Sequence, residues 1–595
     1  MDYQGVANLA TMFLDQAGRH AARPFLWTKR DKVWGSRNWA ETDRQVRALS
    51  RGLRAAGVKP GDRVLLCAEN RPEWLVADVA IMAAGAITVP VYVTNTADDH
   101  RFVLEDSGAS AAIVSTAKLA RALLPAVAAV PACRLVVAME RPEPAPDGLD
   151  LADWQAVLAA GEGLADDVGE VAGRVGRRDT ACFIYTSGTG GRPKGVVLSH
   201  GAILANCAGA YDLLLDLGLD DEVFLSFLPL SHSYEHTCGQ FFPISIGAQI
   251  YYAEGADALA ANLQETRPTI VTAVPRLYEV LHGRINAGVR TAPALRRALF
   301  QRTLDLGLKR LRGQPLGLAG LLDPLLERLV RAKVRQRFGG RLKAFVSGGA
   351  PLNPDIGEFF LALGVPILQG YGQTEAAPVI SCNRPRRVRI ETVGPPLKGV
   401  EVRLAEDGEI LVRGELLMEG YWNQPEASAA ALQGGWLHTG DIGAIDADGY
   451  IRITDRKKDM IVLSGGDNIA PAKLEGALSL EAEIGQAMVV GDKRPFLVAL
   501  IVPDRAWTEA WAAAAGKPAD LALLSTDKAF VAALGQVVDR VNARLSAIEK
   551  IRRFAVLPSA FTTENGMMTP TLKTRRHVVR QHYQTVIDGL YEGRG

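Results

Sequence analysis

The densest chemistry in the chain lies in IYTSGTGGRPKGVVLSH, residues 184–200. A hydrophobic run, ACFIY, enters a loop of Thr186, Ser187, Gly188, Thr189, Gly190 and Gly191, and the motif then reaches Lys194. Glycines let the backbone approach a ligand closely, and successive N–H groups form a nest for an anion. Three hydroxyls and one ammonium complete a cradle for a polyphosphate. This is not a Walker A loop, which needs Gly before its Lys and Ser or Thr after it; here Pro193 and Gly195 flank Lys194.

Six further segments carry candidate residues. SGGAPL (347–352) and ILQGYGQTEAAP (367–378) read as two Gly-punctuated strand ends, where α/β sheets hold ligands. In them Tyr371 offers an aromatic face and Glu375 a hard oxygen suited to Mg²⁺. LPLSHSYEH (228–236) places His232 after a strand, where a satisfied core histidine is the default. GWLHTGDIG (435–443) places Asp441 in a turn, as a cap or as a carboxylate accepting two hydroxyls. ITDRKKDMIVLSGGDNIAPAKLE (453–475) holds Arg456, Lys458, Gly465 and Gly466, and NGMMTPTLKTRR (565–576) holds Lys573. Taken alone, an exposed Lys, a GG turn and a lone Lys near the C-terminus are ordinary surface features.

Together, in this order, the motifs make the chain resemble the AMP-forming acyl-CoA synthetases of the adenylate-forming superfamily. The resemblance covers nearly the whole sequence. The family's phosphate loop reads YTSGTTGxPKG; Gly190 here replaces the usual second Thr, removing one hydroxyl. Glu235 and VPRLYE (274–279) look most like the long-chain branch, as does NGxxTPTxK, although Leu572 stands where short-chain forms have Gly. The resemblance implies an ATP-dependent activation of a fatty acid to acyl-AMP, then transfer to coenzyme A. It implies ATP phosphates on Thr186, Ser187, Gly188, Thr189, Gly190 and Lys194. Gly349, Ala350, Pro351 and Tyr371 would flank adenine, and Asp441 and Arg456 would hold ribose. Thr374 would contact the α-phosphate, Glu375 the bridging Mg²⁺, and Lys573 the reacting carboxylate. His232 would line the carboxylate end of the acyl pocket. Lys458 falls at a hinge, and Gly465 and Gly466 approach a coenzyme A channel. Other adenylate-forming ligases stay open as alternatives: an acyl-AMP ligase serving a carrier protein, or a short-chain or aromatic acid–CoA ligase. A non-catalytic lipid-binding protein on a degenerate fold is disfavoured by the joint presence of Glu375, Asp441, Arg456, Lys458 and Lys573.

The elements that must position these residues alternate between short β-branched runs and helical stretches. RVLLC (63–67), ITVPVYV (87–93), AAIVST (111–116), RLVVAM (134–139), VFLSFL (223–228), QIYYA (249–253), IVTAVP (270–275) and KAFVSG (343–348) are predicted strands. VRALSRGLRAAG (46–57) has helical spacing. The alternation predicts an α/β fold with a large N-terminal domain of parallel-rich sheets layered with helices. Near residue 400 the texture changes to hairpins (VEVRL, GEILVRG, GYIRITD), a barrel-like subdomain. The texture places the major boundary at Lys458, and the resemblance implies an AMP-binding domain over 1–457 and a small, mobile α+β C-terminal domain over 458–595. Its strands are MIVLS (460–464), QAMVVG (486–491) and FLVALIV (496–502), with a helix striped by Phe530, Leu534, Val538, Val541, Leu545 and Ile548. RPEPAPDGLD (141–150) reads as a surface loop. The apolar run 74–93 contains Asp78, Gly85 and Pro90, so it reads as a buried helix and strand, not a membrane span.

Composition excludes several classes. The 595 residues are 48% hydrophobic and 22% charged, which rules out disorder, collagen and coiled coil for the whole. With 67 basic and 66 acidic residues, no global field would hold nucleic acid. Six scattered cysteines without a CxxC argue against a disulfide scaffold or structural zinc and fit a reducing compartment. MDYQGVANLATMFLDQ lacks a basic n-region and does not read as a signal peptide, so a cytoplasmic location is expected. One segment departs from the balance: 276–345 has sixteen basic and four acidic residues, with an apolar stripe of Leu326, Leu329, Val330, Val334 and Phe338. It reads as a solvated helical face or, more sharply, as peripheral contact with the inner face of an anionic membrane. A homodimer is left open.

Overall fold

The β-branched runs become two eight-stranded sheets in a computed structural model that describes residues 1–142, 149–186, 192–255, 257–465, 467–569 and 573–592. The first runs Gly420–Tyr421, Lys194–Ser199, Thr180–Thr186, Ile87–Pro90, Arg63–Cys67, Ala111–Val114, Leu135–Ala138 and Leu151–Asp153. From Thr180–Thr186 onward its pairs are parallel, and the two before it are antiparallel. The second runs Val379–Cys382, Ile367–Gly372, Ala344–Ser347, Ile270–Ala273, Val223–Ser226, Gln249–Tyr252, Pro24–Arg30 and Val33–Asn38. It is parallel except at its two ends. Parallel strands read as continuous apolar runs because helices cover both faces.

Helix Pro72–Ala83 is buried along its whole length. It shares one core with Phe25 and Leu26 of the second sheet and Val64 and Leu66 of the first. The apolar run 74–93 is thus a buried helix and a strand, as expected, but the strand stops at Pro90 and not at Val93. Proline has no N–H to continue the ladder. Asp78 stays polar inside this helix because its Oδ2 accepts from His236 Nε2 at 2.9 Å and Gln240 Nε2 at 2.7 Å. Helix Trp39–Ala55 starts on a capping box made by Asn38 and Glu41. It meets helix Trp154–Glu162 backbone to backbone: a Cβ on Gly161 would sit 1.8 Å from Ala48 O.

The hairpins after residue 400 form a five-stranded antiparallel sheet of Glu401–Leu404, Glu409–Arg413, Trp436–Ile445 and Leu432–Gln433, with Ile451–Arg456 paired to Trp436–Ile445. Beyond it, Ile484–Val490, Leu497–Pro503 and Ile551–Val556 make a three-stranded sheet with its own core around Phe530 and Leu534. The six cysteines are free and buried, and among the described residues no helix is long and apolar enough to cross a membrane.

Two further expectations change, and a third falls partly outside the described residues. The helix striped from Phe530 ends at Asn542, so Ile548 lies outside it and is exposed. Asn542 exchanges side-chain hydrogen bonds of 2.9 Å with the backbone of Ile551, which turns the chain into a strand. The stripe 326–338 is broken by a π-helical turn, Glu327–Arg331: Leu326 and Phe338 are buried but Leu329 is exposed. Of the expected loop 141–150, residues 143–148 lie outside the described residues.

Asp78→Ala should lower stability by about 2–4 kcal/mol, since it strips two buried donors of their acceptor. Asp78→Asn, which keeps an oxygen, should recover part of the loss in the urea midpoint.

Candidate functional site

Thr374 and Glu375 stand in the one-turn helix Thr374–Ala376 that follows strand Ile367–Gly372. Three neighbours pin this turn. Asn206 Nδ2 donates to Ala376 O at 3.0 Å and its Oδ1 accepts from Val379 N at 2.9 Å. Thr237, in the π-helix Glu235–Phe241, donates to Ala377 O at 3.0 Å. The Ser233 and Thr374 hydroxyls are hydrogen-bonded at 3.0 Å, joining this turn to the His232 segment.

The phosphate-loop motif spans an antiparallel hairpin in which Thr186 faces Lys194. Ser187, Gly188, Thr189 and Gly190 lie outside the described residues. Lys194 Nζ sits 4.6 Å from the ring centroid of Tyr421. The Tyr421 hydroxyl donates to Glu375 Oε1 at 2.8 Å. The end of the anion loop and the candidate metal carboxylate therefore meet on one tyrosine.

Asp441 and Arg456 face each other across paired strands, with Arg456 Nε 3.0 Å from Asp441 Oδ1. The Tyr371 hydroxyl donates to Asp441 Oδ2 at 2.5 Å. Burial and the Asp441 carboxylate push this phenol well above its ordinary value, so it remains a donor. Gly349 adopts φ +83°, a conformation costly for other residues, and Ala350 and Pro351 are exposed beside it. The four residues expected around adenine and the two expected around ribose thus lie at the ends of adjacent strands or on the facing hairpin sheet.

Lys573 belongs to the last segment of the chain, yet its ammonium feels Arg456, Asp441 and Glu375. Burial first and Arg456 second push it down to about 8, while the two carboxylates oppose. His232 is pushed down to about 3 by burial and by Lys573, so it is neutral. Its Nδ1 accepts from Tyr234 N at 3.2 Å, which leaves the proton on Nε2. A neutral donor of this kind suits a pocket wall and not a base.

Cys238 and Val379 join the cluster of Leu228 and Tyr234 to a narrow crevice of about 30 Å³, also lined by Ala210, Phe224, Thr272 and Val346. A larger hollow of about 240 Å³ near Leu217 and Lys343 is lined by Leu368 of the 367–378 motif but by none of the candidate site residues. Glu235, buried beside the crevice, accepts from Thr272 at 2.7 Å, and burial pushes it up to about 7.

Lys457 is tied to Asp407 at 2.6 Å and Glu409 at 3.4 Å, whereas Lys458, next in the turn, is exposed. A side chain on Gly465 would meet only Asp467 Oδ2, at 3.5 Å, so nothing crowds that glycine in this pose. Gly466 lies outside the described residues. Glu375 tests well as a Mg²⁺ ligand: one oxygen is engaged by Tyr421, leaving the other for a cation that takes most of its remaining ligands from phosphates and water. Among the described residues no cluster of three or more His, Cys, Asp or Glu side chains could hold a metal by itself.

Sequence reasoning missed Tyr421, Ser233 and Asn206. Each acts from a strand or helix distant in sequence, and only GYWN at 420–423, a Gly followed by two aromatics, gave a weak local signal.

A family model described as AMP-binding enzyme matches residues 13–422, and its C-terminal domain matches 458–595. The long-chain-fatty-acid–CoA ligase FadD15 of Mycobacterium bovis is 36% identical over 94% of this chain and 93% of its own length. The peroxisomal long chain acyl-CoA synthetase 7 of Arabidopsis thaliana is 30% identical over 99% of this chain and 87% of its own. Among solved structures, the adenylation domain of a carboxylate reductase from Mycobacterium chelonae superposes with TM-score 0.79 at 21% identity, covering 99% of this chain and 92% of that one. A benzoate CoA ligase from Burkholderia xenovorans gives 0.72 at 24% identity, covering 97% of this chain and 100% of that one.

Lys573 should titrate near 8. Below that pH it is charged at a cost, so its contribution to stability improves as pH rises from about 8 towards its unfolded value. The rate of Lys573 acetylation against pH, read by mass spectrometry, should have its midpoint near 8. An ordinary midpoint near that of a free lysine would remove Lys573 from the cluster.

Proposed function

The chain belongs to the AMP-binding enzyme family, and from that premise we propose that it activates a long-chain fatty acid with ATP and passes the acyl group to coenzyme A. The observation that carries the reading is the Asp441–Arg456 pair across facing strands, close enough together with Glu375 to influence the charge of Lys573 from the last segment of the chain. Its relatives with long-chain names support the substrate class.

In the first half-reaction a carboxylate oxygen bonds to the α-phosphorus of ATP as the bond to pyrophosphate breaks. Carboxylates are weak nucleophiles, so positioning and charge neutralisation supply the acceleration. Thr186, Ser187, Gly188, Thr189, Gly190 and Lys194 take the leaving phosphates. Thr374 contacts the α-phosphate. Lys573 bridges the attacking carboxylate and the nucleotide, and neutral His232 walls the carboxylate end. Tyr371, with Gly349, Ala350 and Pro351, bounds the adenine, while Asp441 and Arg456 hold the ribose. Mg²⁺, held by Glu375, would neutralise charge on the phosphates.

In the second half-reaction the sulfur of coenzyme A bonds to the acyl carbon, the bond to AMP breaks, and the thiol proton passes to solvent. Residues 458–595 turn on Lys458 between the two halves, withdrawing Lys573 and bringing Gly465 and Gly466 to the thiol's path. A cytoplasmic enzyme meeting the inner face of a membrane through 276–345 fits a substrate that partitions into lipid. Homodimerisation is part of the same proposal, tested by sedimentation velocity.

ATP–pyrophosphate exchange should respond to fatty acids of graded length, with AMP release on adding coenzyme A. Exchange without AMP release would favour delivery to a carrier protein. Lys573→Ala should abolish exchange and largely spare thioester formation from supplied acyl-AMP; equal loss in both halves overturns its role. Gly465→Trp should keep exchange and lose thioester formation.

A further inference from the structure

The basic segment 276–345 leaves strand Ile270–Ala273 and returns at Ala344–Ser347, two neighbouring strands that contribute Thr272 and Val346 to the apolar crevice. Between them stand helices Pro275–Arg290 and Ala294–Leu311, then a short connection, Gly317–Leu322 and Asp323–Leu326. That connection presents its leucines to solvent. Leu318 is 88% exposed, Leu321 79%, Leu325 50% and Leu322 48%. Leu311 and Leu329 are exposed on either side. A contiguous apolar projection of this kind is unusual on a folded surface unless something covers it.

The knob is braced from below. Asp323 accepts from Arg310 at 2.5 Å and from the buried Arg331 at 3.0 Å. Arg331 also donates to Ala362 O at 3.0 Å and Thr303 O at 3.3 Å. The leucines therefore stand out on an anchored base and do not fold back onto the core. Charge surrounds them unequally. Glu279, Asp323 and Glu327 are engaged with arginines of the segment, and Asp305 accepts from Gln301. Arg302, Lys309, Arg328 and Lys333, on the elements that flank the knob in sequence, are exposed and have no ion pair among the described residues. An apolar tip ringed by unneutralised cations matches the interface of an anionic bilayer, where acyl chains meet phosphate headgroups.

We propose that residues 317–325 insert Leu318, Leu321, Leu322 and Leu325 into an anionic lipid bilayer while the surrounding Arg and Lys side chains hold its headgroups. This rests on the reading of 276–345 as a membrane-facing segment and adds the element that penetrates. It also gives Arg302, Lys309, Arg328 and Lys333 the anionic partners that the segment's own acids, engaged elsewhere, do not supply. A lipid-borne fatty acid would then be met at the end of the molecule from which the crevice strands depart.

The test is sedimentation of the full chain with vesicles of phosphatidylcholine alone or mixed with phosphatidylglycerol, at low and high salt. Wild type should pellet with the mixed vesicles, less so at high salt. The double variant Leu318→Ser, Leu321→Ser should partition about tenfold more weakly or less, with ATP–pyrophosphate exchange on a short soluble acid unchanged. Because the native cysteines are all buried, Leu318→Cys labelled with a polarity-sensitive dye should shift to the blue on mixed vesicles. Salt-sensitive pelleting with no effect of the Ser variant and no blue shift overturns insertion but leaves a purely electrostatic contact. No pelleting of wild type on any vesicle overturns both. Loss of a dimer in the Ser variant, by sedimentation velocity, with vesicle binding unchanged, assigns the knob to a second copy of the chain and overturns the proposal.

Discussion

The site depends on one electrostatic constraint: an ammonium must be accepted into a partly desolvated space that already contains a guanidinium. Burial and Arg456 both work against the charge on Lys573, and Asp441 and Glu375 work for it. The carboxylates do not cancel the cost, which is why the lysine remains depressed. Such a group is only conditionally stable where it sits. It gains most when further negative charge, such as a triphosphate and a carboxylate, joins the cluster, and it leaves readily when that charge departs.

The groups around that lysine are held by partners of their own. Asp441 is already satisfied by Tyr371 and Arg456, and Glu375 by Tyr421. The turn bearing Thr374 is held by Asn206, Thr237 and Ser233, which come from two separate helical segments and the loop before one of them. Those helical segments pack against the second large sheet, so the rigidity of the site derives from the shared core and not from the loops themselves. The same core tolerates Asp78 only because His236 and Gln240 meet it from the π-helix.

Outside the core, charge serves different ends. Lys457 is locked to Asp407 and Glu409 while Lys458 beside it is free to solvent, which confines any pivot to a single peptide or two. In the segment 276–345 the acids are consumed internally and the remaining cations face outward with the leucines. Neither arrangement is dictated by fold; both follow from which charges find partners.

By itself the sequence determined the α/β class, the change of texture near residue 400, the buried helix at 74–83 and the motifs that hold the candidate site residues. These rest on short-range patterns: apolar runs of strand length, glycines at strand ends, and motif residues a few positions apart. The sequence overran where a pattern outlived its element, as when the stripe from Phe530 continued past Asn542 or when Leu329 was counted with buried neighbours. Tertiary structure alone decided that Tyr421 links Lys194 to Glu375, that Asp441 faces Arg456 across a sheet, and that Lys573 lies beside residues more than a hundred positions earlier. It alone decided which leucines of the basic segment are left bare. The physical reason is common to all of these: long-range contacts and exposure depend on how separate elements pack, and no local spacing of residue types encodes that packing.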